Sequence, residues 1–330
     1  MDPRPHRRVG IATGALVLAA LALAVTGSGH AHAAHPEPAV AAAPLSVAAV
    51  GNRCQARTAS GTSTVSLDSG GRVRLARVHV PTGYPPARGF PLLLSLHGTG
   101  STAALQEQVS RLDPTGDAHR FLVVYPQALR RSGNGFAWNI PGTPTFTASG
   151  PDDVGFIRAL VTALGARYCL SSEQVYATGF SGGGRMVSQL ACEPGQPFAA
   201  VAAIGGLRAP TPCPADPVPV LAVHGTADTM NPYLGHGSPY WTYSVPDAAL
   251  RWADHDGCAT RPALTTIEPG VTRTTYAGCR AGAAVELDTL AGKGHTWPAP
   301  RPDYSVNEVI WRFFTGHELP DPDRAGQNNV

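Results

Sequence analysis

Residues 175–186 read Val175-Tyr176-Ala177-Thr178-Gly179-Phe180-Ser181-Gly182-Gly183-Gly184-Arg185-Met186. A β-branched and aromatic run enters a glycine, a serine follows between Gly179 and Gly183, and an apolar helical stretch comes after. A serine on so tight a strand-to-helix turn sits in strained backbone, so the positions two before and two after it must lack bulk. In a chain with 37 glycines the Gly-x-Ser-x-Gly spacing is weak by itself, and the flanking strand and helix carry the reading. The stretch predicts a nucleophile elbow at Ser181, and therefore a serine hydrolase with an acid and a histidine later in the chain, in that order.

Outward from the elbow, strands and helices alternate. Residues 72–80 read as a strand stopped by Pro81. Residues 91–96 and 121–125 are near-continuous apolar runs, as strands covered on both faces should be. Residues 152–168 carry apolar side chains at a helical period, with Asp152 and Asp153 where the helix dipole favours anions. Strands are predicted at 199–204, 218–223, 273–276 and 285–290, and helices at 182–191, 246–254 and 305–314. The pattern predicts an α/β fold, a mostly parallel central sheet with helices on both faces.

The N-terminus stands apart from this pattern. Arg4, Arg7 and Arg8 precede an apolar run over 11–25, followed by Ala31-His32-Ala33. A charged start, a short apolar core and a small-x-small site describe a secretory signal peptide, here residues 1–33. Arg7-Arg8 leaves twin-arginine export open beside the general route. Residues 34–48 read as a flexible leader, 49–318 as one catalytic domain and 319–330 as a disordered tail. No apolar stretch is long enough for a comfortable span, so no stable membrane anchor is expected. Net charge is +2, Lys293 is the only lysine, and the arginines are dispersed; nucleic-acid binding would want a basic stripe.

Six cysteines follow the signal: Cys54, Cys169, Cys192, Cys213, Cys258 and Cys279. An even number in an exported chain favours disulfides. Of the 15 pairings that six cysteines permit, the expected set is Cys192–Cys213, Cys258–Cys279 and, by elimination, Cys54–Cys169. No Cys-x-x-Cys or His–Cys cluster has metal-ligand spacing, so no metal is expected.

The acid candidate is Asp228, in Val223-His224-Gly225-Thr226-Ala227-Asp228, just beyond the carboxyl end of a buried strand where open α/β sheets build their sites. The base candidate is His295, in Gly292-Lys293-Gly294-His295-Thr296-Trp297-Pro298, a glycine-flanked loop after the last strand. Chain order selects it among 12 histidines, because Ser, Asp, His is the α/β-hydrolase order of the triad. The oxyanion hole is expected from the backbone N–H groups of Gly182, next to the nucleophile, and Thr99, in the loop after the strand ending at Leu96. Trp297, near the base, and Trp138, Tyr233 and Trp241 are the candidate substrate contacts, since aromatic side chains beside a catalytic centre can stack on a ring or lie against a polyester.

These motifs taken together resemble the secreted polyhydroxybutyrate depolymerase-like esterases, a group that also includes the feruloyl and acetylxylan esterases of carbohydrate-esterase family 1. The resemblance runs from about Cys54 to Phe314. It is carried by Leu96-His97-Gly98, Asp153-Val154-Gly155-Phe156, the stretch 175–186, His224-Gly225-Thr226-Ala227-Asp228, Trp252 with Gly257-Cys258, and Gly294-His295-Thr296-Trp297-Pro298. It implies an α/β-hydrolase fold, no cofactor, and the triad Ser181, Asp228 and His295. One departure is Gly182, where members of the group usually carry Asn or Ser. No appended polymer- or carbohydrate-binding module is read in the chain, which points away from crystalline polymer.

The expected activity is therefore a secreted serine ester hydrolase acting through an acyl-enzyme. Its substrate is a polyhydroxyalkanoate-type polyester or oligomer, or a feruloyl or acetyl ester on plant cell-wall polysaccharide. Acyl transfer to a sugar on the same fold, and a non-catalytic binding protein, are the alternatives.

Overall fold

The computed structural model describes residues 59–83 and 89–319, together with a two-residue strand, β1 (Ala43–Pro44). The expected signal peptide, Cys54 and residues 320–330 lie outside the described residues. Leu319, placed by the sequence in the tail, donates its N–H to Glu173 O at 2.9 Å.

In chain order β2 (Gly61–Ser69) and β3 (Arg72–Val80) are followed by β4 (Phe90–Leu96), α1 (Ala103–Ser110) and α2 (Leu112–His119). Next come β5 (Leu122–Pro126), β6 (Arg130–Ser132), β7 (Gly135–Ala137), α3 (Asp153–Arg167), β8 (Leu170–Phe180) and α4 (Gly182–Ala191). Then follow β9 (Ala200–Ile204), β10 (Val220–Gly225), α5 (Val245–His255), β11 (Ala263–Glu268), β12 (Val271–Tyr276), β13 (Val285–Leu290) and α6 (Val306–Thr315). One eleven-stranded sheet has the order β1-β2-β3-β5-β4-β8-β9-β10-β13-β12-β11. Its centre, from β5 to β13, is parallel throughout. The antiparallel pairs β2–β3 and β11–β12 lie toward its two ends.

Chemistry along each strand explains the arrangement. Every residue of β5, β9 and β10 is buried, so these strands need cover on both faces. Alternate side chains of β10 divide accordingly. Val220 and Ala222 pack with Met186, Leu190, Phe156 and Trp252, on the α3, α4 and α5 side. Leu221 and Val223 pack with Leu112, Ile310, Phe313 and Phe314, on the α2 and α6 side. β2 and β11 bury little and suit the periphery.

Asp152 caps α3 by accepting Gly155 N–H at 2.8 Å. Its neighbour Asp153 does more than favour the dipole. It is buried, accepts Arg74 Nη2 at 2.5 Å and Asn139 N–H at 2.7 Å, and ties the outer strand β3 to α3. Cys192–Cys213 and Cys258–Cys279 are bonded, each across 21 residues. The third expected pair includes Cys54 and so cannot be placed among the described residues. No helix among those residues is long and apolar enough to cross a membrane.

The sequence reading passed over β2, the β6–β7 hairpin, α1, α2 and β11. In α2 the cause is plain: Pro114 and Gly116 interrupt its eight residues. Packing requires that glycine, because a Cβ on Gly116 would stand 2.8 Å from Val123 Cγ2.

Candidate active site

β8 enters the elbow between β4 and β9, paired as Leu96↔Gly179 and Phe180↔Ile204 at the carboxyl edge of the sheet. Ser181 follows with φ 54° and ψ −112°, a conformation that costs about 1–3 kcal/mol for a residue with a side chain. The surroundings hold it there: Ser181 N–H donates to Ile204 O at 2.8 Å, and Ser181 O accepts Arg185 N–H at 3.0 Å. The glycines two before and two after are sterically required. A Cβ on Gly179 would lie 2.4 Å from the Gly183 carbonyl carbon, and one on Gly183 2.0 Å from Leu96 O.

Asp228 sits on the turn after β10 with its carboxylate buried. Its Oδ1 accepts the N–H groups of Met230 at 2.9 Å and Asn231 at 2.8 Å. Its Oδ2 lies 2.6 Å from His295 Nδ1 and 3.2 Å from His224 Nε2. Burial alone would raise the carboxyl pKa, but the hydrogen bonds from His224, His295 and Asn231 outweigh it and hold Asp228 well below the usual carboxylate range. The Asp228 contact sets the His295 tautomer: the proton sits on Nδ1, leaving Nε2 free to accept. The imidazole lies over the elbow, 4.8 Å between ring centroids from Phe180 and 3.6 Å from where a Cβ on Gly205 would stand. Among the described residues the Ser181 hydroxyl makes no hydrogen bond.

Thr99 lies on the turn after β4, exposed and against Gly182. A Cβ on Gly182 would come 2.8 Å from Thr99 N. Thus the loop after β4 and the first turn of α4 bring the two expected N–H donors to one place. His97 braces this loop. Its ring donates from Nδ1 to Gly98 O at 2.8 Å and accepts Ala128 N–H on Nε2 at 3.1 Å. Complete burial pushes its pKa down to about 4, so it is a neutral support.

The four aromatic residues expected at the substrate are otherwise engaged. Trp138 is 1% exposed and donates Nε1–H to His97 O at 2.8 Å. Trp241 donates to Pro232 O at 2.8 Å, and the Tyr233 hydroxyl meets Thr289 Oγ1 at 2.8 Å. Trp297 is buried among the α6 side chains and donates to Asn307 Oδ1 at 3.1 Å. Trp138 and Trp241 are therefore corrected from substrate contacts to packing residues: a fully packed indole has no face to offer a ligand. A cavity of about 340 Å³ is lined by Gly205, His224, Lys293, Trp297 and Arg301, but neither Ser181 nor His295 borders it.

Three site residues had no sequence signal pointing to this role. His224 touches Asp228, as above. Asn231 is buried and fully used: Nδ2 donates to Gly205 O at 2.6 Å, Oδ1 accepts Arg185 Nη1 at 2.9 Å, and its carbonyl meets His224 Nε2 at 2.8 Å. Arg185 reaches from α4 to both Asn231 and, at 3.4 Å, Thr99 Oγ1.

Comparison with known proteins gives the site its context. Residues 77–210 match the family model described as Esterase PHB depolymerase. "Putative esterase NocK" of Nocardia uniformis subsp. tsuyamanensis is 32% identical over 251 residues, covering 69% of this chain and 72% of that protein. Feruloyl esterase B of Piromyces equi is 27% identical over 258 residues, covering 74% of this chain, which spans only 45% of that longer protein. Among solved structures, the acetyl xylan esterase from Aspergillus awamori shares the fold, an α/β-hydrolase, with a TM-score of 0.56 at 18% identity, covering 74% of this chain and 94% of that one.

Proposed function

The chain belongs to the esterase family that includes PHB depolymerases, and on that premise we propose that it is a secreted serine ester hydrolase working through an acyl-enzyme on Ser181. The carrying observation is the 2.6 Å contact between His295 Nδ1 and Asp228 Oδ2, 67 residues apart in sequence, beside a serine held at φ 54°. Ser181 Oγ attacks the ester carbonyl carbon as His295 Nε2 takes the hydroxyl proton. Asp228 keeps the imidazole in that tautomer and stabilises the imidazolium. The carbonyl oxygen becomes an oxyanion facing the N–H groups of Thr99 and Gly182. His295 then protonates the departing alcohol, and water repeats the sequence to release the acid. Every group this chemistry needs is a side chain or a backbone amide, so no cofactor is required.

The substrate class is a hydroxyalkanoate polyester or its oligomers, supported by the family match over residues 77–210. The similarity to feruloyl esterase B favours feruloyl esters as the second reading. Secretion is supported by the charged start, the apolar run over 11–25 and two disulfides. The test is a rate comparison on hydroxybutyrate oligomers and methyl ferulate, with p-nitrophenyl acetate and butyrate as references. Ser181→Ala should lower kcat by about 10⁶ on the preferred ester. A loss of tenfold or less would reject the mechanism.

A further inference from the structure

We propose that the Thr99 side-chain hydroxyl is a third donor to the oxyanion, oriented by the buried guanidinium of Arg185; the assignment rests on the ester-hydrolase reading above. Its starting point is Gly182. A Cβ built there would stand 2.3 Å from Thr99 Oγ1. The hydroxyl thus occupies the space a side chain at 182 would take, directly beside the peptide whose N–H faces the oxyanion. The absence of a side chain after the nucleophile and the presence of a hydroxyl at 99 are one steric fact.

Arg185 determines which way that hydroxyl points. It lies one turn into α4, where long side chains lean back toward the helix N-terminus and so toward Ser181. Nη2 is 3.4 Å from Thr99 Oγ1, and Nη1 donates to Asn231 Oδ1 at 2.9 Å. A guanidinium has donors only, so Thr99 must accept from Arg185 and keeps its own proton to give elsewhere. Among the described residues no protein group takes that proton, and Thr99 is exposed at the elbow. Arg185 is 8% exposed and has no carboxylate at ion-pair distance among the described residues. It also stands in the first turn of a helix, where the dipole disfavours a cation. At rest Asp228, beyond ion-pair distance, already attracts it, and a buried charge so placed gains further when another negative charge appears nearby. The reaction creates one: when Ser181 Oγ bonds to the carbonyl carbon, the carbonyl π pair moves onto the oxygen, within reach of two N–H groups and one O–H. Thr99 only donates a hydrogen bond, and its proton stays on Oγ1. Arg185 acts through Thr99 and is a positioning residue.

The experiment measures kcat and KM on p-nitrophenyl butyrate for Thr99→Val, Thr99→Ser, Arg185→Gln, Arg185→Lys and the Thr99→Val/Arg185→Gln double variant, with melting curves for each. Thr99→Val is nearly isosteric and should lower kcat by about 10²-fold, the usual effect of removing one oxyanion donor, with KM little changed. Thr99→Ser should recover most of the loss. Affinity for butylboronic acid, which places an anionic tetrahedral centre on the serine, should fall with kcat/KM in Thr99→Val. Arg185→Gln should lower kcat by about tenfold alone and add nothing in the Thr99→Val background, because coupled residues are not additive. Arg185→Lys, which keeps a donor and the charge, should fall between wild type and Arg185→Gln and covers the case in which Arg185→Gln does not fold. Thr99→Val that folds normally and keeps kcat within threefold overturns the hydroxyl assignment while leaving the hydrolase reading in place. Fully additive losses overturn the role of Arg185. A folded wild type that turns over no ester removes the hydrolase reading and this assignment with it.

Discussion

Asp228→Asn tests the site at the level of single atoms. Asparagine replaces one carboxylate oxygen by NH₂, and the surroundings decide which. Oδ1 accepts two backbone N–H groups, from Met230 at 2.9 Å and Asn231 at 2.8 Å. An NH₂ there would face two donors, so the amide oxygen stays and the nitrogen takes the Oδ2 place. That atom lies 2.6 Å from His295 Nδ1. An amide nitrogen only donates, so His295 must present a bare Nδ1 and carry its proton on Nε2. The nitrogen that should accept the Ser181 proton is then already protonated. The fold and the imidazole position are kept while the base is lost through its tautomer. The equivalent change in serine-hydrolase triads lowers kcat by about 10⁴, or roughly 5.5 kcal/mol of transition-state stabilisation. The assay is kcat and kcat/KM on p-nitrophenyl butyrate, with circular dichroism to show that the variant is folded. A folded variant keeping more than a tenth of the wild-type rate would refute the role given to Asp228.

Two further predictions concern stability. Asp256 is completely buried, and burial raises its carboxyl pKa to about 6 despite the His255 ring at 2.7 Å. A raised carboxyl pKa means that the cost of ionising it is absent below the unfolded value near 3.8 and fully present above 6, so stability falls as pH rises through that window. The shift corresponds to roughly 3 kcal/mol. Urea unfolding from pH 4 to 7 should therefore show wild type losing about that much relative to Asp256→Asn, and parallel pH curves for the two proteins would contradict this. The Cys192–Cys213 bond closes a loop across 21 residues and should contribute about 3 kcal/mol. The Cys192→Ser/Cys213→Ser variant should melt roughly 6–12 °C lower by calorimetry, and an unchanged melting temperature would show that the loop is held by other contacts.

Local chemistry made much of the molecule legible. The glycine at 179 is demanded by an atom within one turn, the Gly183 carbonyl carbon, so that half of the elbow is local, whereas Gly183 is demanded by Leu96 O on the neighbouring strand β4. Strands such as β9 and β10 are apolar throughout because they are covered on both faces, and they were found for that reason. By contrast α2 was missed because Val123 forces a glycine into a helix. Nearness in sequence to Asp228 suggests Trp241 as a substrate contact but says nothing of which way an indole turns, and its Nε1–H meets Pro232 O instead. Trp297 points into the α6 packing and Trp138 onto the His97 carbonyl.

From the chain alone came the expected order of nucleophile, acid and base, the parallel sheet and the two disulfides with short closures, because each depends on neighbours or on a repeating period. Tertiary structure alone decided that His224 and Asn231 join Asp228, and that Arg185 reaches both Asn231, 46 residues away in sequence, and Thr99, 86 residues away. A hydrogen bond depends on separation and direction in space, and only the folded sheet brings those distant loops to one rim.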